Sequence, residues 1–119
     1  MTEHAEKLRD ARLRKQILAT LHRARSSPQG GLSGRTLYDC VDGGAGFSQG
    51  FDGDDHAMGL VIDLCNANFV AGRVLPRRKM QRDGIDFRFF SITDLGSQLY
   101  LEAIPPHPLV EDERIMGER

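Results

Sequence analysis

The sequence predicts an α+β domain in which three helices are followed by a two-stranded hairpin and a final helix. Three observations carry that expectation. Apolar residues recur at helical spacing in three separate segments before Asn68. Strand-prone runs, Phe69 to Leu75 and Ile85 to Ile92, then flank the turn pair Asp83-Gly84, and Thr93 opens a new helical pattern. At 119 residues the chain has the length of one domain with a single modest core.

The first helix is expected from about Glu3 to Arg25. Leu13, Ile17 and Leu21 repeat at four-residue spacing, Ala11 and Leu18 lie beside them, and charges fill the remaining arc. The run SSPQGG, from Ser26 to Gly31, ends it. A second helix starts at Ser33, whose hydroxyl suits a cap, with Leu32 and Leu37 at the spacing of a hydrophobic staple. Leu37, Cys40 and Val41 form its apolar stripe, and Gly43-Gly44 close it. The glycine-rich run 43–53 is expected to be irregular. Phe47 and Phe51 should fold back onto the body, because two phenylalanines left in water would be costly.

The third helix begins near Asp54, whose carboxylate suits a cap, while Asp55 favours the positive end of the helix dipole. Ala57, Leu60, Val61 and Leu64 give its buried stripe, and Asn68 suits a left-handed closing turn. The two strands follow, joined by PRRKMQRDG. Thr93 caps the last helix, in which Leu95 and Leu99 lie one turn apart. From Ala103 onward the prolines at 105, 106 and 108, then EDERIMGER, describe an extended polar tail. The domain is therefore expected over 1–103 and the tail over 104–119.

The phrase Val61-x-x-Leu64-x-x-x-Asn68-Phe69-Val70 and the junction Ser91-Ile92-Thr93-Asp94-Leu95-Gly96 stand within this order of elements. Over roughly residues 10 to 102 the chain resembles the winged helix-turn-helix superfamily, of the small bacterial or phage regulator type. The resemblance implies a three-helix core with a two-stranded β-wing and a C-terminal helix. It also implies two surfaces offered to nucleic acid, the third helix and the wing. The connection 43–53 departs from that pattern, since the usual helix-turn-helix link is about three or four residues.

Those two surfaces differ in charge. The net charge of −1 says nothing for nucleic acid, but the distribution is segregated. No Lys or Arg falls between Arg35 and Arg73, where Asp39, Asp42, Asp52, Asp54, Asp55 and Asp63 all lie. On the third helix Asp55, Gly59, Ile62, Asp63 and Asn66 are left facing outward. Only Asn66 resembles a base reader, and the two aspartates would be repelled by phosphate. The wing is the opposite, with Arg77, Arg78, Lys79 and Arg82 clustered at its tip. Arg35, beside the start of the second helix, takes a position that the resemblance implies for a phosphate contact.

The expected function is double-stranded DNA binding led by the wing, as a small transcriptional regulator. Its DNA-binding residues would be Arg35, Asn66, Arg77, Arg78, Lys79 and Arg82. The alternative is a protein–protein interaction module that uses Gly59 and Ile62 on the third helix. A homodimer is expected through residues 4–25 and the last helix, around Leu95 to Leu101, since winged-helix regulators commonly pair through terminal helices.

Nothing in the sequence points to an enzyme, a metal or a cofactor. His4, His22, His56 and His107 are scattered without metal-site or triad spacing, and each is expected to be a surface residue with no special role. DGDD at 52–55 lacks the ligand alternation and terminal glutamate of a calcium loop, so solvated carboxylates at a helix start are expected. The glycine runs lack a GxxxxGK pattern. Cys40 and Cys65, far from any CxxC spacing, are expected to be buried free thiols. With no signal peptide and no long apolar run, a soluble cytoplasmic protein without membrane contact is expected.

Overall fold

Helix α1 (Glu3–Ala24) is the element around which the others pack. The computed structural model describes residues 3–42, 51–74 and 88–110. After α1 come strand β1 (Leu32–Ser33), α2 (Gly34–Asp42), α3 (Asp54–Asn66), β2 (Val70–Val74), β3 (Arg88–Ile92) and α4 (Asp94–Tyr100). The protein is an α+β fold of four helices and a three-stranded antiparallel sheet in the order β1-β3-β2. Strand β3 sits centrally, pairing Phe90 with Leu32 on one side and with Gly72 on the other. Among the described residues no helix is long and apolar enough to cross a membrane.

The core follows the apolar spacing of the helices. Leu13, Ile17, Leu18 and Leu21 line the inner face of α1, met by Leu37 and Val41 from α2 and by all four stripe residues of α3. Phe90, Ile92 and Val70 close the core from the sheet, and Leu99 closes it from α4. Each such side chain removed from water contributes about 1.5–3 kcal/mol. Ser33 caps α2 as its position suggested, its Oγ accepting the Thr36 N–H at 3.3 Å.

The junction between α3 and α4 is held by a chain of backbone and side-chain hydrogen bonds. Asn68 takes the left-handed conformation at φ 67. Its N–H donates to Cys65 O at 3.0 Å, and the Phe69 N–H reaches back to Leu64 O at 2.9 Å. This paired closure satisfies two of the last carbonyls of α3 and brings Phe69 over Leu64. Thr93 locks the next step: its Oγ1 accepts from Gly96 N–H at 3.0 Å and donates to Asn68 O at 2.6 Å. Its own N–H donates to Phe69 O at 3.1 Å. The start of α4 is thereby pressed onto the turn after α3, and only a residue without Cβ fits at Gly96, where such an atom would lie 2.0 Å from Phe69 O.

Several expectations are corrected. Asp54 is the first helical residue of α3 rather than its cap. Gly53 holds the cap position at φ 153, a conformation open to glycine, and no side chain caps the helix. The Asp54 carboxylate is drawn to Arg35 instead. Leu95 is 40% exposed, because Gly96, Ser97 and Leu99 supply the inner face of α4. Cys40 is exposed and Cys65 half-buried. Residues 104–110, expected to begin a polar tail, pack back on the body: Val110 joins the core, and Ile104 and Leu109 lie against it. Arg14 fixes this segment by donating to Leu109 O at 3.0 Å, and His107 sets its ring edge-on to Phe69 at 5.0 Å. Phe51 folds onto the body, its ring 5.0 Å from that of Tyr38, whereas Phe47 lies outside the described residues. So do the turn Asp83-Gly84 and residues 111–119.

Candidate nucleic-acid interface

Asp55, Gly59, Ile62 and Asn66 form the outward stripe of α3, at spacings of four, three and four residues that keep them on one side of the helix. Asn66 is the last residue of that helix and is exposed, so its amide is available at the surface. Ile62 is 38% exposed, and a side chain added at Gly59 would meet open space. Asp63 belongs to the flank of this stripe. Its Oδ2 accepts from Arg14 at 2.8 Å, and Arg14 is the better buried partner. The expected pair of repelling aspartates thus reduces to one, Asp55.

Arg35 is already engaged. Its guanidinium donates to Asp54 Oδ2 at 2.7 Å and lies 4.9 Å above the centre of the Tyr38 ring. It therefore joins the start of α2 to the start of α3, and a phosphate reaching it would compete with a carboxylate. Arg77, Arg78, Lys79 and Arg82 lie outside the described residues. What is described is the hairpin that carries them: β2 and β3 pair antiparallel from Val70↔Ile92 to Val74↔Arg88, so residues 75–87 connect the two strands at one end. Arg73, which was not among the expected contacts, is exposed, and its guanidinium lies 4.8 Å above the ring of Phe89. The register pairs these two residues directly. No sequence signal located this pair, since a two-residue turn at Asp83-Gly84 would set Arg73 opposite Asp94 rather than Phe89.

The acidic loop before α3 is a packing device. Arg9 grips Asp52 with both terminal nitrogens, each at 3.1 Å. His56 accepts the Asp52 N–H at Nδ1 (3.0 Å), so its proton resides on Nε2, which faces Asp10 Oδ1 at 2.9 Å. Asp52 and Asp54 are thus ion-paired yet exposed, and Asp55 is exposed as well, so the carboxylates at this helix start are solvated as expected. The histidines are corrected. His22 Nδ1 is hydrogen-bonded to the buried Ser97 hydroxyl at 3.2 Å and the ring tilts against Tyr100, and Arg25 donates to that same hydroxyl at 2.8 Å. His56 and His107 are bridges of the same kind.

Among the described residues no group of three or more His, Cys, Asp or Glu is placed to hold a metal. Burial pushes the Cys65 thiol above the ordinary thiol range, with Arg88 opposing the shift. No family model, no curated protein and no solved structure matches the chain.

Proposed function

We propose that the protein is a winged-helix DNA-binding protein, a small cytoplasmic regulator that holds double-stranded DNA through its β2–β3 hairpin. The observation that carries this reading is the antiparallel register ending at Val74↔Arg88. It makes the most basic stretch of the chain the connection of a hairpin. From Arg73 to Arg88 six basic residues (Arg73, Arg77, Arg78, Lys79, Arg82 and Arg88) stand against two acidic ones, Asp83 and Asp86. A basic hairpin suits the phosphate backbone, which supplies the sequence-independent part of binding. The outer face of α3 adds one amide, Asn66, so sequence readout is weak. The α+β architecture, with a helix leading into the sheet from either side of β2–β3, is compatible with the winged-helix class.

A second reading is favoured by one observation, the exposed Ile62 beside the open space at Gly59 on α3. That patch suits a protein partner better than a DNA groove. The homodimer belongs to the same proposal, with Leu95 and Leu101 (61% exposed) on and just beyond α4 as its apolar contacts. Fluorescence anisotropy with a labelled random-sequence duplex at low salt separates the readings. Hairpin-led binding is weakened in Arg77→Ala/Arg78→Ala and kept in Ile62→Asp. A wild-type chain that leaves the duplex free, or a double variant that binds it equally well, overturns the proposal.

A further inference from the structure

We propose that the cavity between α1, α4 and residues 102–110 binds a small apolar amino acid in its zwitterionic form. The cavity has a volume of about 540 Å³, within the range of small-molecule sites. Leu18, Leu99, Ile104, Pro105 and Val110 form an apolar wall large enough for a branched or aromatic side chain. Three polar side chains belong to residues of its lining, Lys15, Tyr100 and Glu102. None of the three has a hydrogen-bond or ion-pair partner among the described residues.

Backbone geometry singles out Glu102. It closes α4 in the left-handed conformation at φ 61, with the Ala103 N–H donating to Gln98 O at 2.8 Å. Glycine or asparagine fills that position at less strain. A glutamate there puts an acidic residue into the cavity lining at a conformational cost. Charge complementarity selects the ligand. A simple carboxylate would answer Lys15 and Tyr100 but be repelled by Glu102, and a simple amine would do the reverse. An amino acid gives its carboxylate to Lys15 and Tyr100, its ammonium to Glu102 and its side chain to the apolar wall. This inference is independent of the DNA reading, and either can fail without the other.

The test is an amide-resolved NMR titration of the full chain with L-phenylalanine, 3-phenylpropionate and phenethylamine. Phenylalanine is expected to bind with a dissociation constant of about 1 mM, shifting residues around Lys15 and from Leu99 to Val110. Each analogue, lacking one exposed ion pair, is expected to bind about three- to fivefold more weakly. Lys15→Ala should remove the advantage of phenylalanine over phenethylamine, and Glu102→Gln its advantage over phenylpropionate. Both positions are exposed, so thermal melts of these variants should match wild type, and Ile104→Glu should block all three ligands. Absent or scattered shifts at tens of millimolar ligand, an analogue that binds as tightly as phenylalanine, or indifference to both charge variants overturns the proposal.

Discussion

Replacing Gly96 with alanine sets helix propensity against steric fit, and the two give opposite signs. In an exposed helix the change stabilises by about 1 kcal/mol, because alanine restricts the unfolded chain and favours the helix. At Gly96 the new methyl would lie 2.0 Å from Phe69 O, 2.9 Å from Phe69 C and 2.8 Å from Ile92 Cγ1. Two of these atoms are backbone, so the contact is relieved only by lifting α4 off the turn after α3. Overpacking of this kind costs about 1–3 kcal/mol. The lift also strains the bonds from Thr93 to Asn68 O and Phe69 O, and disturbing the cap adds about 1 kcal/mol. The balance is a net loss of about 1–3 kcal/mol, a large share of a typical 5–15 kcal/mol stability. Urea unfolding followed by circular dichroism measures it, with an unchanged m-value expected for a purely native-state effect. A variant as stable as wild type, or more so, would refute the close approach of α4 to Phe69.

The Glu102→Gly variant should be more stable by about 0.5–1 kcal/mol in the same assay, because glycine relieves the left-handed conformation at φ 61; a loss of stability would contradict that geometry. Asp63→Asn should cost about 0.5–1 kcal/mol through the Arg14 pair and loosen residues 104–110 in hydrogen exchange, whereas Asp55→Asn should cost about 0.3–1 kcal/mol through the α3 dipole and tighten DNA binding. Cys40 is exposed and should react with a thiol reagent at least about tenfold faster than Cys65, whose raised pKa keeps it protonated. Because the Cys65 thiol ionises less readily folded than unfolded, its contribution to stability is full below the ordinary thiol range. It fades as pH rises through and above that range, and unfolding curves of wild type and Cys65→Ser with the same pH dependence between neutral and strongly alkaline pH would contradict a raised thiol pKa.

Much of the fold was legible because it rests on short-range regularities. The four inward residues of α3, the stripe of α1, the Ser33 and Thr93 caps and the left-handed Asn68 each follow from neighbours within a few positions. Strand β1 was missed because two residues carry no periodicity, and Leu32-Ser33 already had a role as staple and cap. The orientation of α4 escaped the Leu95–Leu99 spacing, since Gly96 and Ser97 face inward only through their fit to Phe69 and to His22 and Arg25. Partners far apart in sequence escaped as well. Arg14 with Asp63, Arg9 with Asp52 and His56 with Asp10 are joined by the packing of α1 against α3. Those pairs changed the candidate site most. The Arg14 pair removes one of the two aspartates, Asp63, from the repelling surface of α3, and a further pair, with Asp54, occupies Arg35.

The most direct test of the account is the slope of log affinity for a random-sequence duplex against log salt concentration, measured for wild type and for Arg77→Ala/Arg78→Ala. If Arg77, Arg78, Lys79 and Arg82 each neutralise one phosphate, the wild-type slope should be about −3.6 and the variant slope about −1.8. Thermal stability should be the same for both if the two arginines serve DNA contact alone. A binding constant indifferent to salt, or a slope the double substitution leaves unaltered, would contradict the claim that the hairpin holds DNA.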